Sequence, residues 1–139
     1  MNKEETLLVK GTIKEPALEG DVGYDLVVSK RICVRAHRFT RVPMDVSIAI
    51  PPGFWGLLIA RSGTNLGGQL LVLPGVIDEG YRGPLFALVH NLSVDSITLE
   101  PGQRICQLIL IKSNVFPITF VDQLPPSARG VNGFGSTGE

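Results

Sequence analysis

The sequence predicts an all-β domain, and three features carry that prediction. Sixteen Gly and ten Pro punctuate a chain that is 44% hydrophobic, which describes many short apolar segments separated by turns. Between Arg31 and Ile50 the apolar residues Ile32, Val34, Phe39, Val42, Val46, Ile48 and Ile50 stand among polar ones, the alternation of half-buried strands. No apolar run approaches the ~20 residues of a membrane span.

The chain has 139 residues, enough for one domain with a core and too few for two. Thirteen Lys and Arg balance thirteen Asp and Glu, so no global field draws the protein to nucleic acid or to an anionic membrane. Any anion must be held by local donors. No charged-then-apolar leader opens the sequence, which predicts a soluble, intracellular protein. Cys33 and Cys106 sit in apolar, strand-like contexts without metal-ligand spacing. Buried free thiols are the expectation, with a disulfide as the alternative.

Taken in order, residues 5–13 read as a first strand, broken by the Pro16 to Gly20 segment. In Gly23-Tyr24-Asp25-Leu26 the glycine allows close backbone approach, and Asp25 enters a strand where an acid is disfavoured without a partner. Asp25 either caps its own turn or answers to a site. Pro51-Pro52-Gly53 leads into the apolar strand Phe54 to Ala60, with Trp55 as core or subunit contact. That strand runs straight into Arg61-Ser62-Gly63, which either is an ordinary loop or offers a guanidinium, a hydroxyl and free amides to a phosphate.

Residues 75–83, Gly-Val-Ile-Asp-Glu-Gly-Tyr-Arg-Gly, read as a strand entering a tight β-hairpin. The segment is either an ordinary turn or the rim of a pocket, with Asp78 and Tyr81 a few ångströms apart at its mouth. His37, in a loop between Ala36 and Arg38, is assigned no role, and His90 at a strand end suggests a structural one. Pro84 to His90 and Ser96 to Leu99 continue the strand pattern. Pro101 to Arg104 is a turn before Ile105 to Ile111, where Gln107 alone interrupts an apolar run. Burying that amide costs roughly 1–3 kcal/mol unless it is hydrogen-bonded, so it ties down backbone or faces a site. A strand apolar on both faces also asks for cover on both, which suggests an oligomer. After Pro125-Pro126, residues 129–139 carry too much Gly and too little apolar content to fold alone. They are either a plain tail or a cover for a nucleotide.

Five segments, in order, resemble the five motifs of the trimeric dUTP nucleotidohydrolase (dUTPase) family: Gly23 to Leu26, Arg61 to Gly63, Gly75 to Asp78 with Tyr81 to Gly83, Gly102 to Gln107, and Arg129 to Gly138. Val22 and the Thr64 to Gly68 stretch depart from that pattern. The resemblance implies a distorted jelly-roll β-barrel subunit over residues 1–124, a flexible arm over 125–139, and a homotrimer with shared active sites. It implies hydrolysis of dUTP to dUMP and pyrophosphate with Mg²⁺. By the same resemblance, Asp78 would activate the water, with Gln107 as the second catalytic residue. Gly75, Val76 and Ile77 would read uracil, and Tyr81 would pack under the deoxyribose. Arg61, Ser62 and Gly63 would meet phosphates, and Asp25 would hold magnesium through water. Phe134 would stack on the base while Arg129, Gly135, Ser136 and Thr137 close over the outer phosphates.

Overall fold

A computed structural model describes residues 5–62 and 68–135. Eleven strands follow in order: β1 (Leu8–Gly11), β2 (Ile13–Lys14), β3 (Gly23–Val27), β4 (Ile32–Val34), β5 (Phe39–Ala49), β6 (Phe54–Ala60), β7 (Leu70–Val72), β8 (Gly75–Ile77), β9 (Pro84–Asn91), β10 (Ile97–Leu99) and β11 (Arg104–Lys112). They form a four-stranded sheet ordered β1-β5-β9-β7, a five-stranded sheet ordered β2-β3-β11-β6-β8, and a β10-β4 ribbon. All the pairings within these sheets are antiparallel. Among the described residues no helix is long and apolar enough to cross a membrane.

Period-two patterning accounts for the longest strands. In β9, Leu85, Ala87, Val89 and Asn91 are buried while Pro84, Phe86 and Leu88 face out, as alternating Cβ directions require. In β5 the buried set is Val42, Met44, Val46 and Ile48. Phe39 is out of phase with that set, three residues before Val42, and it lies exposed and stacked on His90 with ring centroids 4.4 Å apart. The inner faces of the sheets meet in one core that includes Leu26, Leu58, Leu85, Leu99, Ile105 and Leu108. Trp55 stands half-buried outside it.

The first strand is divided. Gly11, at φ +113°, packs so tightly on Asp45 that a Cβ would collide with its carbonyl, and the chain passes from β5 to β3 as a partner. The expected hairpin at residues 75–83 is also corrected. β8 pairs with β6, whereas β9 pairs with β5 and β7, so the turn between them carries the chain from one sheet to the other. A turn signal is local and names no partner for its flanking strands. At the other end the last strand stops at Lys112. Val115, Phe116, Ile118 and Phe120 beyond it are largely exposed.

A register shift between Arg104 and Cys106 lets both Ile105 and Cys106 enter the core, as a bulge re-aims successive side chains. It also puts Gln107 opposite Asp25. The one fully buried polar side chain in the described core, Asn91, is saturated. Its amide donates to the Val34 and Asp95 carbonyls at 2.9 and 2.8 Å, and its oxygen accepts from the amide and hydroxyl of Ser93.

Of the cysteines, Cys106 is buried as expected, but Cys33 is exposed, and both are free. Burial, assisted by the Asp25 charge and opposed by that of Arg61, pushes the Cys106 thiol from 9.0 up to about 12. The folded state therefore keeps a proton that the unfolded chain loses. This contribution to stability is whole below pH 9 and declines by up to about 1.4 kcal/mol per pH unit toward pH 12. Denaturant titrations should show the wild type losing stability over that window more steeply than Cys106→Ala. At pH 8 a thiol reagent should label Cys33 in the folded protein and Cys106 only after unfolding.

Candidate active site

Two cavities hold most of the residues that the sequence singles out. The first, of about 330 Å³, opens beside the turn after β8. Gly75, Val76, Ile77, Asp78 and Tyr81 line it together with Leu58, Phe86 and Leu88. Its walls are apolar, and a carboxylate and a phenol stand where the turn enters, a setting suited to a flat ring and a sugar.

Five hydrogen bonds fix that turn. The Tyr81 amide donates to the Asp78 carbonyl at 3.1 Å. Arg82 reaches back to the carbonyls of Glu79 at 2.8 Å and Tyr81 at 3.1 Å. The Tyr81 hydroxyl donates to the Pro84 carbonyl at 3.0 Å. The Glu79 carboxylate accepts the Gly53 amide at 2.6 Å, a short, charge-assisted bond to the turn that opens β6. Glu79 was not among the residues expected to matter. Its signal was a charge in a turn, which is indistinguishable in sequence from a solvated one.

The second cavity, of about 510 Å³, is polar and lies over the β3 and β11 pair. Asp25, Arg61, Ser62, Arg104 and Gln107 line it. Asp25 has the partners that an acid in a strand needs, Arg61 at 2.8 Å and Arg104 at 3.4 Å. The Gln107 amide donates to the Ala60 carbonyl at 3.1 Å, while its oxygen fits against Gly23, where a Cβ would collide with it. So Gln107 both ties down backbone and faces a site. Arg104, expected only as part of a turn, was traceable through Asp25, since it opens the strand that pairs with it. Two guanidiniums held by one carboxylate are a fork geometry that a phosphate can also engage.

The chain does not bring these two sets together. Ile77 lies opposite Gly56, so Asp78 follows near one end of β6 while Arg61 follows the other end. At ~3.3 Å per residue along the strand, their backbones are roughly 20 Å apart. Arg129, Phe134 and Gly135 line neither cavity, and Phe134 is fully exposed, with φ +41°. Gly63, Ser136 and Thr137 lie outside the described residues.

Residues 10–138 match the family model described as dUTPase. The chain belongs to the dUTPase family. It is 40% identical over 116 residues to a deoxyuridine 5'-triphosphate nucleotidohydrolase of Oryza sativa subsp. japonica, covering 84% of this chain and 68% of that one. A protein of the same name from Paramecium bursaria Chlorella virus 1 is 36% identical over 138 residues, 96% of this chain and 98% of the other. Among solved structures, Staphylococcus bacteriophage 80alpha dUTPase with dUPNHPP superposes with a TM-score of 0.89 at 27% identity, covering 96% of this chain and 99% of that chain. The jelly-roll-like fold of dUTPases is therefore the fold of this chain.

The Glu79 tether is open to direct measurement. In Glu79→Ala, exchange of the Gly53 amide proton should accelerate roughly tenfold or more, as read by hydrogen-exchange NMR. An unchanged rate would mean that the carboxylate holds nothing in solution.

Proposed function

We propose that this protein hydrolyses dUTP to dUMP and pyrophosphate, at sites assembled between copies of a homotrimer. The observation that carries the reading is the division of the site. An apolar cleft carries the Asp78 carboxylate, and a separate polar cavity carries Arg61 and Arg104 together with Asp25, so the ring-sized cleft and the guanidiniums stand in different places. The names of the relatives supply the substrate class.

In this reading uracil enters the first cleft, where the backbone of Gly75, Val76 and Ile77 reads its polar edge. A wrong base leaves those buried groups unpaired, which is costly. Tyr81 packs under the deoxyribose and excludes a 2′-hydroxyl. A neighbouring copy contributes Arg61, Ser62, Gly63 and Gln107 to the phosphates, Arg61 leaving Asp25 for a phosphate oxygen. Asp78 takes a proton from water as the water oxygen bonds to the α-phosphorus. The bond from that phosphorus to the bridging oxygen then breaks, and pyrophosphate leaves. Phosphoryl transfer of this kind asks for positioning and charge neutralisation more than covalent help. Phe134 stacks on the base, and Arg129, Gly135, Ser136 and Thr137 close the arm over the outer phosphates.

Magnesium fits the residues present. Among the described residues no group of three or more His, Cys, Asp or Glu could hold a metal ion, whereas Asp25 offers a hard carboxylate in the polar cavity that Arg61 and Arg104 line. Mg²⁺ characteristically keeps several waters and borrows phosphate oxygens. Held through water by Asp25, it supplies charge neutralisation to the triphosphate. The proposed activity limits uracil entry into DNA and supplies dUMP for dTMP synthesis.

Pyrophosphate release from dUTP, dCTP, dTTP and UTP, with and without magnesium, tests the reading. Release from dUTP alone, dependent on magnesium, is the expected result. Ammonia from dCTP would indicate a deaminase instead, and binding without turnover would indicate a silent module. Asp78→Asn should retain dUTP binding and lose about 10²–10⁴-fold in turnover. Comparable turnover would remove Asp78 as the base.

A further inference from the structure

We infer that Gly83 is the positioning residue for uracil-nucleotide sugar selectivity: its missing side chain is the seat that holds the Tyr81 ring in place. The inference rests on the reading of the first cleft as the dUTP pocket.

A Cβ built on Gly83 would lie 2.5 Å from the Tyr81 hydroxyl oxygen, 2.8 Å from Cζ and 3.2 Å from Cε2. The outer half of the ring thus rests directly on the Gly83 backbone. The same hydroxyl donates to the Pro84 carbonyl at 3.0 Å, so the ring tip is fastened to the residue that follows its seat. Tyr81 nevertheless remains 41% exposed and lines the cleft, which leaves ring surface for a sugar.

The backbone of Gly83 does not itself require glycine. Unlike Gly11, Gly53 and Gly102, it lies outside the left-handed region, so alanine meets no backbone strain there. The colliding atoms belong to the far end of a side chain that can swing away. Gly83→Ala should therefore fold, and its effect should appear as a displaced ring separated from the Pro84 carbonyl. A steric filter depends on where its wall stands. A ring moved by about an ångström no longer presses on C2′, in keeping with the sensitivity of sites to small misplacements.

The experiment compares kcat/KM for dUTP and UTP in wild type, Gly83→Ala, Tyr81→Phe, Tyr81→Ala and the Gly83→Ala/Tyr81→Ala double variant, with thermal unfolding as a check on folding. Gly83→Ala should reduce the dUTP-over-UTP ratio about tenfold or more. Tyr81→Phe, which removes only the hydroxyl anchor, should reduce it in the same direction. In the Tyr81→Ala background the Gly83 substitution should have no further effect on the ratio, since coupling disappears with the partner. A ratio unchanged in Gly83→Ala, or reduced equally with and without the ring, would overturn the inference. Ring NMR signals provide a readout independent of substrate. The chain has two tyrosines, and Gly83→Ala should shift the Tyr81 signals while leaving those of Tyr24 in place. Absence of dUTP turnover in the wild type would defeat the functional reading instead, and the NMR shift would still decide the seat.

Discussion

Strand β6 sets the distance on which the whole account depends. Its backbone is bonded to β11 on one side and to β8 on the other, and that double pairing fixes Asp78 near one end and Arg61 at the other. A strand hydrogen-bonded along both edges cannot shorten or slide without breaking its register. No side-chain rotation closes a gap of roughly 20 Å between the two backbones. The constraint that makes a single chain rigid therefore also keeps the two halves of the proposed site apart.

Each half is prepared separately. The turn bearing Asp78 and Tyr81 is fastened to the opening of β6 through Glu79 and to the head of β9 through the Tyr81 hydroxyl. It can present a carboxylate without reorganising, which is where electrostatic catalysis draws its strength. In the polar cavity, Asp25 is paired with both Arg61 and Arg104, and in the proposed reading this carboxylate holds the guanidiniums in place until a triphosphate competes for them. Gly53 joins two regions, since its amide is held by Glu79 and its carbonyl by the Ser113 amide at 2.8 Å. The carboxylate turn and the root of the C-terminal segment are thereby anchored to one residue.

Much of this was legible in the sequence. Gly and Pro punctuation and period-two patterning announced the strands, and the motifs named the residues of both cavities. The pairing of strands was not legible. Residues 75–83 carry every local sign of a hairpin, yet the partners of β8 and β9 are chosen by burial on two different sheets. Phe39 was misplaced because alternation was followed across an odd spacing, and Cys33 because an apolar neighbourhood in sequence was taken for one in space. Glu79 and Arg104 escaped notice since a charged residue in a turn looks solvated until its acceptor or donor is known. The gap at Gly83 has no sequence signature at all, because it is defined by the ring that fills it.

Subunit mixing tests the central claim most directly. Asp78→Asn and Arg61→Ala each disable one half of the site, and the two proteins can be unfolded together and refolded as mixed oligomers. If one copy supplies Asp78 and another supplies Arg61, random assortment restores about a quarter of the sites, and dUTP hydrolysis should reappear at about that fraction of the wild-type rate. If one chain supplies both residues, no mixture contains an intact site. Mixed oligomers as inactive as their parents would contradict the account.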